Sequence, residues 1–333
     1  MTLMAGFWKH MEALRSCIFR IAIAVGAITL FSFIFDIRTV QLFGVAVPLP
    51  YPDIYMTVST RVFLQIKHDL LPPTVKLVSL TPWAAMMIQF QISLAMGIIL
   101  GMPVIVYEVG RFLGPALKRR ERRLILRMVV PATALFALGV FFAYLLIIPF
   151  SISFLYDFAF AMGIEQYFSV EDFFSFIMMF MLAFGVVFEL PVIMVGLSST
   201  GLVSPDFWKE HWRWAVLLTL VFAAVITPDG TGITMFLVAL PMLVLYLTGY
   251  VISKSQNRLR AVGVLLAAVG LAAFLLAGPL ALFGLLPGGP DIAPFGLHLR
   301  LASVAGIAAF VIGLLLVAAS FGSESGSGEP AKP

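Results

Sequence analysis

Residues 173–198 read FFSFIMMFMLAFGVVFELPVIMVGLS, an apolar run of 26 residues in which Glu189 is the single charged side chain. A helix of roughly 20 mostly apolar residues crosses the hydrocarbon layer of a bilayer. Lipid offers the backbone no hydrogen-bond partner, whereas a helix satisfies its own amides and carbonyls. The run therefore predicts a membrane-spanning helix.

The rest of the chain has the same apolar character. Hydrophobic residues fill 61% of the 333 positions and charged residues only 11%, whereas about a quarter of an average soluble domain is charged. The net charge of +4 alone would suit an anionic partner, but the positions of the basic residues matter more, and we predict no nucleic-acid binding. The lone Cys17 excludes an internal disulfide, and the four histidines lack metal-ligand spacing, so no metal or cofactor is expected.

Eight segments are candidates for spanning helices, and nothing shows the alternating strands of a barrel. They run near 17–35, 83–107, 127–149, 173–198, 213–227, 233–252, 262–286 and 301–321. The predicted fold class is an all-α integral membrane protein. It has a six-helix transmembrane domain over 1–255, two additional helices over 256–321, and a disordered cytoplasmic tail over 322–333 that is rich in Gly, Ser and Glu.

The fifth and sixth predicted helices are unusual. The fifth, between Trp212 and Thr227, measures only about 22 Å, and the sixth is interrupted by Pro241. Either their ends differ from those predicted, or this corner thins the bilayer or is covered by a partner helix.

Lysine and arginine residues set the predicted orientation. When alternate connections are assigned to alternate sides, sixteen of the 21 basic residues fall on the side that carries both termini. The positive-inside rule places that side in the cytoplasm. We therefore predict a multi-pass protein of the cell (cytoplasmic) membrane with both termini in the cytoplasm.

Three further segments have predicted positions. Residues 36–82 contain six prolines and are expected to cap the outer mouth of the bundle. Residues 150–171 are expected to form a short amphipathic helix and a turn at the outer surface. Residues 7–20 place apolar side chains on one helical face, which predicts an interfacial helix, with plain membrane anchoring as the simpler role.

Two polar side chains inside the spans are candidates for special roles. Glu189 costs at least about 2 to 3 kcal/mol to insert, so it is expected to face the interior, either in a functional cavity or hydrogen-bonded to backbone freed by Pro191. At least one of Gln89 and Gln91 is expected to form an inter-helix hydrogen bond. The Gly97 and Gly101 pair predicts close helix packing.

Glu121 lies in water within the basic block KRRERR at 118–123. One interpretation is an anchor at the lipid headgroups, with Glu121 as an internal ion-pair partner. The other is a carboxylate poised for an incoming guanidinium, whose planar fork it can hold with two hydrogen bonds. Phe112 and Pro115, just upstream, would supply apolar contact beside it.

Several motifs in one order resemble the TatC family, the large multi-spanning component of the twin-arginine protein translocase. The resemblance covers roughly residues 7–255. The motifs are GMPVIVYEV at 101–109, RFLGPALK at 111–118, ERR at 121–123, FFAY at 141–144, AFG at 183–185, FELP at 188–191, TPD at 227–229 and ALP at 239–241.

The resemblance implies a glove-shaped bundle of six helices that is not an enzyme. Its cytoplasmic face would bind the twin-arginine signal peptides of folded cargo, and the proton-motive force would drive export. Single-span TatA and TatB subunits would be its partners, together with membrane lipids and further copies of the chain. It assigns Glu121, Phe112, Pro115 and Arg122 to signal-peptide binding, Glu189 to the cavity, and Thr227, Asp229 and Pro241 to partner contact.

The N-terminal motif departs from the family pattern His-x-x-Glu-Leu-Arg. Here HMEALR at 10–15 places the acid one position early, which rotates it about 100° around a helix. The resemblance still assigns Glu12 and Arg15 to signal-peptide binding. Either Glu12 swings round to serve, or Glu121 carries more of the recognition alone.

Two other functional classes share some of these sequence features. A proton-coupled secondary transporter or channel for a small solute would also use Glu189, but the sequence has no second charged residue deep in another span to couple with it. An intramembrane serine protease would need a second glycine in GLSS at 196–199 and a deep histidine.

Overall fold

A computed structural model describes residues 2–42, 45–71, 75–113, 128–164, 167–227 and 232–254. The helices are α1 (Thr2–Ile34), α2 (Val58–Leu70), α3 (Ala84–Leu113), α4 (Val129–Phe142), α5 (Ile148–Ala161), α6 (Val170–Phe188), α7 (Leu190–Ser199), α8 (Pro205–Glu210), α9 (Trp212–Ile226) and α10 (Ile233–Lys254). The strands are β1 (Phe35–Leu42), β2 (Val45–Pro52), β3 (Lys76–Val78) and β4 (Tyr167–Ser169). The predicted seventh and eighth spanning helices and the tail lie outside the described residues.

Five helical runs in the described residues are long and apolar enough to cross a membrane. They are His10–Ile34, Ala84–Phe112, Val129–Ala161, Val170–Ser199 and Thr234–Lys254. The shorter apolar helix α9 has 15 residues, or about 22 Å of rise. The five long runs overlap five of the segments predicted before residue 255, and α9 overlaps the short fifth segment.

Two predicted surface helices are parts of longer helices. Residues 7–20 belong to the continuous 33-residue α1 and not to a separate interfacial helix, because no glycine or proline interrupts the chain between residues 7 and 25. Residues 150–161 continue the third span as α5. Pro149 interrupts the hydrogen-bond ladder there, and a π-helical turn at Ala143–Ile147 precedes it, so the helix continues past the proline.

The chain divides into two compact units. Of the described residues, those within 2–137 and 163–183 form the first unit, and those within 138–162 and 184–254 form the second. The domain boundary predicted near residue 255 lies at the end of the described residues.

Helices α1 and α3 pack closely in the first unit. A Cβ atom on Gly97 would overlap Thr29 Oγ1 and lie 2.8 Å from the Val25 carbonyl oxygen. A Cβ atom on Gly101 would lie 3.2 Å from Val25 Cγ2. The two glycines therefore permit the close helix approach that their spacing predicts.

The segment 36–82 contains regular structure that the all-α prediction omits. Strands β1 and β2 form an antiparallel hairpin in which Phe35 is opposite Pro52 and Leu42 is opposite Val45, and β3 pairs in parallel with β4. The prolines at 48, 50 and 52 made β2 look like a loop. Because they alternate, all three can occupy outward-facing amide positions on the free edge of the hairpin, where no donor is needed.

An ion-pair network joins this hairpin to α2. Arg61 donates to buried Asp36 through Nε at 2.6 Å and Nη2 at 2.9 Å. Arg38 Nε lies 3.3 Å from the same carboxylate, and its Nη2 lies 2.5 Å from Asp53. The hydrogen bond from Arg61 is the largest cause that lowers the pKa of Asp36 to about 2.

This network predicts a defined pH dependence of stability. The pKa of Asp36 lies below its usual value of about 3.9, so its ionised form contributes stability that is present above about pH 4 and is lost as pH falls toward 2. We expect Asp36→Asn to lower the melting temperature equally at pH 8 and pH 5, and by less at pH 3. Thermal unfolding of the detergent-solubilised protein measures this difference.

Asp206→Asn serves as the matched control for that experiment. Asp206 is exposed, and its nearest cation, Lys254 Nζ, lies 3.8 Å away, so its loss should change stability little. A deficit of Asp36→Asn that disappears already between pH 8 and pH 5 would contradict the lowered pKa.

Candidate functional site

The cytoplasmic ends predicted for α1 and α3 meet at an aromatic contact. The ring centroids of His10 and Phe112 lie 4.7 Å apart, and the rings are tilted by 35°. Phe112 is half-buried in the last turn of α3. Of the predicted signal-peptide residues, Phe112, Glu12 and Arg15 lie in the described part of the chain, whereas Pro115, Glu121 and Arg122 lie outside it.

A charged cluster lies one helical turn before Phe112. The Glu108 side chain is buried, and Arg20 of α1 donates from Nε to Glu108 Oε2 at 2.8 Å. Arg111 Nη1 lies 3.7 Å from Glu108 Oε1. The sequence interpretation gave Glu108 no role, because its main partner is 88 residues away and only the packing of α1 against α3 brings them together.

Glu12 and Arg15 are exposed on α1. Relative to His10, which touches Phe112, Glu12 lies about 200° and Arg15 about 140° around the helix. Both side chains therefore start from the side of α1 that faces away from the contact with Phe112. The described residues do not bring Glu12 beside Phe112, so the displacement of the acid by one position is not offset by a local change in the helix.

Glu189 occupies the junction between α6 and α7 in the second unit. Its main chain is satisfied, since its N–H donates to Val186 O at 3.1 Å and its carbonyl accepts from Ile193 N at 2.9 Å. Its side chain is 8% exposed, and Oε1 is buried without a hydrogen-bond partner in the described part of the chain. Glu189 Oε1 thus makes no hydrogen bond to the backbone that Pro191 leaves free.

Gln89 has a structural position. Its Nε2 donates to the Phe33 carbonyl at 3.2 Å and to Thr57 Oγ1 at 3.0 Å. Thr57 is also the N-cap of α2, where its side chain accepts from Thr60 N. Gln89 therefore ties α3 to the end of α1 and to the start of α2, an inter-helix hydrogen bond of the kind that its sequence position predicts.

Two of the predicted partner contacts are interior residues. Thr227 is buried at the C-cap of α9 and donates to Ala223 O at 2.9 Å, and Pro241 is buried within α10. Neighbouring parts of the chain cover both side chains in the described structure, and their contact with a partner stays a prediction. Asp229 lies outside the described residues. The exposed apolar side chains of the two helices include Leu218, Val221, Val225, Phe236 and Leu247.

The described residues form a multi-spanning α-helical membrane protein. It has six apolar helices, a charged cluster at the ends of two of them and a buried carboxyl group at a helix junction. Residues 9–241 match the family model of the Sec-independent protein translocase protein (TatC). The chain belongs to the TatC family, as its motifs predict, and is a component of the Sec-independent protein translocase.

Individual relatives agree with this assignment. The chain is 36% identical to TatC of Cenarchaeum symbiosum over 252 residues, which cover 76% of this chain and 96% of that protein. It is 33% identical to TatC of Aquifex aeolicus over 200 residues, which cover 59% and 82% of the two chains. A crystal structure of the twin-arginine translocase receptor TatC in DDM matches with a TM-score of 0.62 and 29% identity, covering 74% of this chain and all of that one. Family membership therefore favours the protein translocase over the small-solute transporter and the protease.

Proposed function

We propose that this chain is the receptor subunit that binds twin-arginine signal peptides at its cytoplasmic face, for the export of folded proteins driven by the proton-motive force. The observation that carries the proposal is the meeting of α1 and α3 at His10 and Phe112. In the sequence, the basic block at 118–123 that contains Glu121 begins six residues after Phe112. Family membership and the likeness to a structure described as a translocase receptor support it.

The proposed recognition chemistry is a carboxylate beside an aromatic ring. Glu121 would accept two parallel hydrogen bonds from a guanidinium of the signal peptide, while Phe112 and Pro115 would contact its apolar side chains. Arg122 would frame this patch, and Arg15 and Glu12 would take part only if the N-terminal turns of α1 rotate. Lysine offers no planar fork, so the site should prefer arginine to lysine.

The proposed partner surface is the exposed face of α9 and α10. Leu218 and Val225 are 65% and 78% exposed on the short helix α9. A single-span TatA-type or TatB-type helix could cover these residues and relieve the mismatch between a helix of about 22 Å and a bilayer of about 30 Å. Further copies of the chain would complete the translocase complex.

Co-purification tests the receptor proposal directly. The full chain in detergent, or in nanodiscs, should retain a folded precursor that carries a twin-arginine signal. A precursor with Lys-Lys in place of the two arginines should be retained at least about tenfold less, the loss expected when a charge-assisted hydrogen-bond pair is removed. Equal retention of the two precursors would contradict the proposal.

A further inference from the structure

Glu108 is a buried carboxylate held by two arginines of the same chain. Its side chain is 7% exposed, whereas those of Arg20 and Arg111 are 42% and 50% exposed. The carboxylate is thus buried, whereas the two arginine side chains that contact it are each about half exposed. Phe112, four residues further along α3, lies on the same helical face as Glu108.

The two arginines are bound unequally. Arg20 makes a charge-assisted hydrogen bond of 2.8 Å to Oε2 and joins two helices. Arg111 approaches Oε1 only to 3.7 Å, which is longer than a hydrogen bond, and belongs to the same helix as Glu108. A half-exposed ion pair of this kind contributes little to stability. Arg111 can therefore leave Oε1 while Glu108 stays paired with Arg20.

We infer that Glu108 Oε1 is a second binding position, or seat, for a guanidinium group of the signal peptide. In the free protein Arg111 occupies this seat in place of the peptide arginine. The inference rests on the proposed receptor function. An incoming arginine displaces Arg111 and hydrogen-bonds to Oε1, while Phe112 contacts the apolar residue beside it. Glu108 then supplies a carboxylate for one of the two adjacent signal arginines.

Burial and position favour Glu108 over Glu12 for this second seat. A hydrogen bond to a carboxylate is stronger where water is largely excluded, as around Glu108. Glu12 is exposed and starts from the side of α1 away from Phe112. Glu108 and Phe112, by contrast, are fixed to one rigid helix, so the carboxylate and the ring keep a constant spacing.

A double-mutant cycle tests the exchange. Binding of a fluorescent twin-arginine signal peptide to the full chain in nanodiscs is measured for wild type, Arg111→Gln, Glu108→Gln and the double variant. Arg111→Gln should tighten binding about threefold or more, because the seat is vacated, and Glu108→Gln should weaken it about tenfold. In the Glu108→Gln background, Arg111→Gln should have no further effect.

Lys118→Gln is the control for charge, because it removes one positive charge from the neighbouring basic block. The inference is overturned if Arg111→Gln increases peptide affinity equally with and without Glu108. It is also overturned if the increase is no larger than that from Lys118→Gln, because either result indicates general charge repulsion. If Glu108→Gln does not fold, the comparison of Arg111→Gln with Lys118→Gln decides. A wild-type chain that binds twin-arginine and Lys-Lys peptides equally contradicts the receptor function itself, whereas a clear preference with an additive cycle contradicts the Glu108 seat alone.

Discussion

Replacing Glu121 by alanine is expected to abolish photocrosslinking of a twin-arginine signal peptide to this chain. The substitution removes the acceptor for a guanidinium and leaves five basic side chains between 118 and 123 without the carboxylate among them. A hydrogen bond to a charged group contributes about 1.5 to 3 kcal/mol, so its loss alone should weaken binding roughly 10-fold to 150-fold. Repulsion between the basic block and the peptide adds to that loss.

Two comparisons make the Glu121 experiment specific. Changing the two signal arginines to lysine should reduce crosslinking to wild type in the same way, because an ammonium cannot make the bidentate contact. Glu210→Ala should leave crosslinking unchanged, since Glu210 is an exposed acid at the end of α8 with no role in the proposed site. Crosslinking that persists undiminished both in Glu121→Ala and with the lysine peptide would contradict the assignment of Glu121.

The spanning helices were predictable because the bilayer imposes one strong condition on them. An apolar run must be long enough to cross and must satisfy its own backbone, so the limits of α9 were predicted to within a residue. Predicted helix ends were wrong where the bilayer does not impose this condition. Pro149 was taken as a helix end, yet the π-helical turn before it lets the helix continue to Ala161.

The β1–β2 hairpin was missed because its proline pattern has two meanings. Prolines usually indicate loops, but prolines at every second residue fit one edge of a two-stranded sheet. The buried Asp36 was missed for a related reason. Its partner Arg61 is 25 residues away, and nothing in the local sequence of either residue predicts their contact.

Residues of the candidate site were predictable where their neighbours in the sequence indicate their role. Phe112 was singled out from its place just before a basic block, and the structure adds the contact with His10. Glu108 was not singled out, because its pairing with Arg20 depends on the close packing permitted by Gly97 and Gly101. For Thr227 the motif gave only a position, and the structure adds a hydrogen bond from its hydroxyl to the Ala223 carbonyl of its own helix.

Glu189→Gln is expected to impair export strongly while leaving signal-peptide binding nearly intact. Glutamine keeps the size of the side chain and one carbonyl acceptor, but it cannot release or take up a proton. The buried Oε1 of Glu189 has no hydrogen-bond partner in the described part of the chain, so the substitution breaks no hydrogen bond at that oxygen. The predicted loss would therefore fall on a step that needs the carboxyl group itself, after recognition.

The measurement pairs two assays on the same variant. Export of a folded reporter with a twin-arginine signal is followed in cells that depend on this chain, and peptide binding is measured on the purified protein. We expect export to fall about tenfold or more with binding within about twofold, a difference that corresponds to more than about 1 kcal/mol between the two steps.

Gln89→Glu is a useful contrast, because it alters a side chain that only ties α3 to α1 and α2, and should reduce stability before either activity. Equal loss of export and binding in Glu189→Gln would instead assign Glu189 to recognition. That result would contradict the proposal that α1 and α3 bind the peptide while the junction of α6 and α7 serves a later transport step.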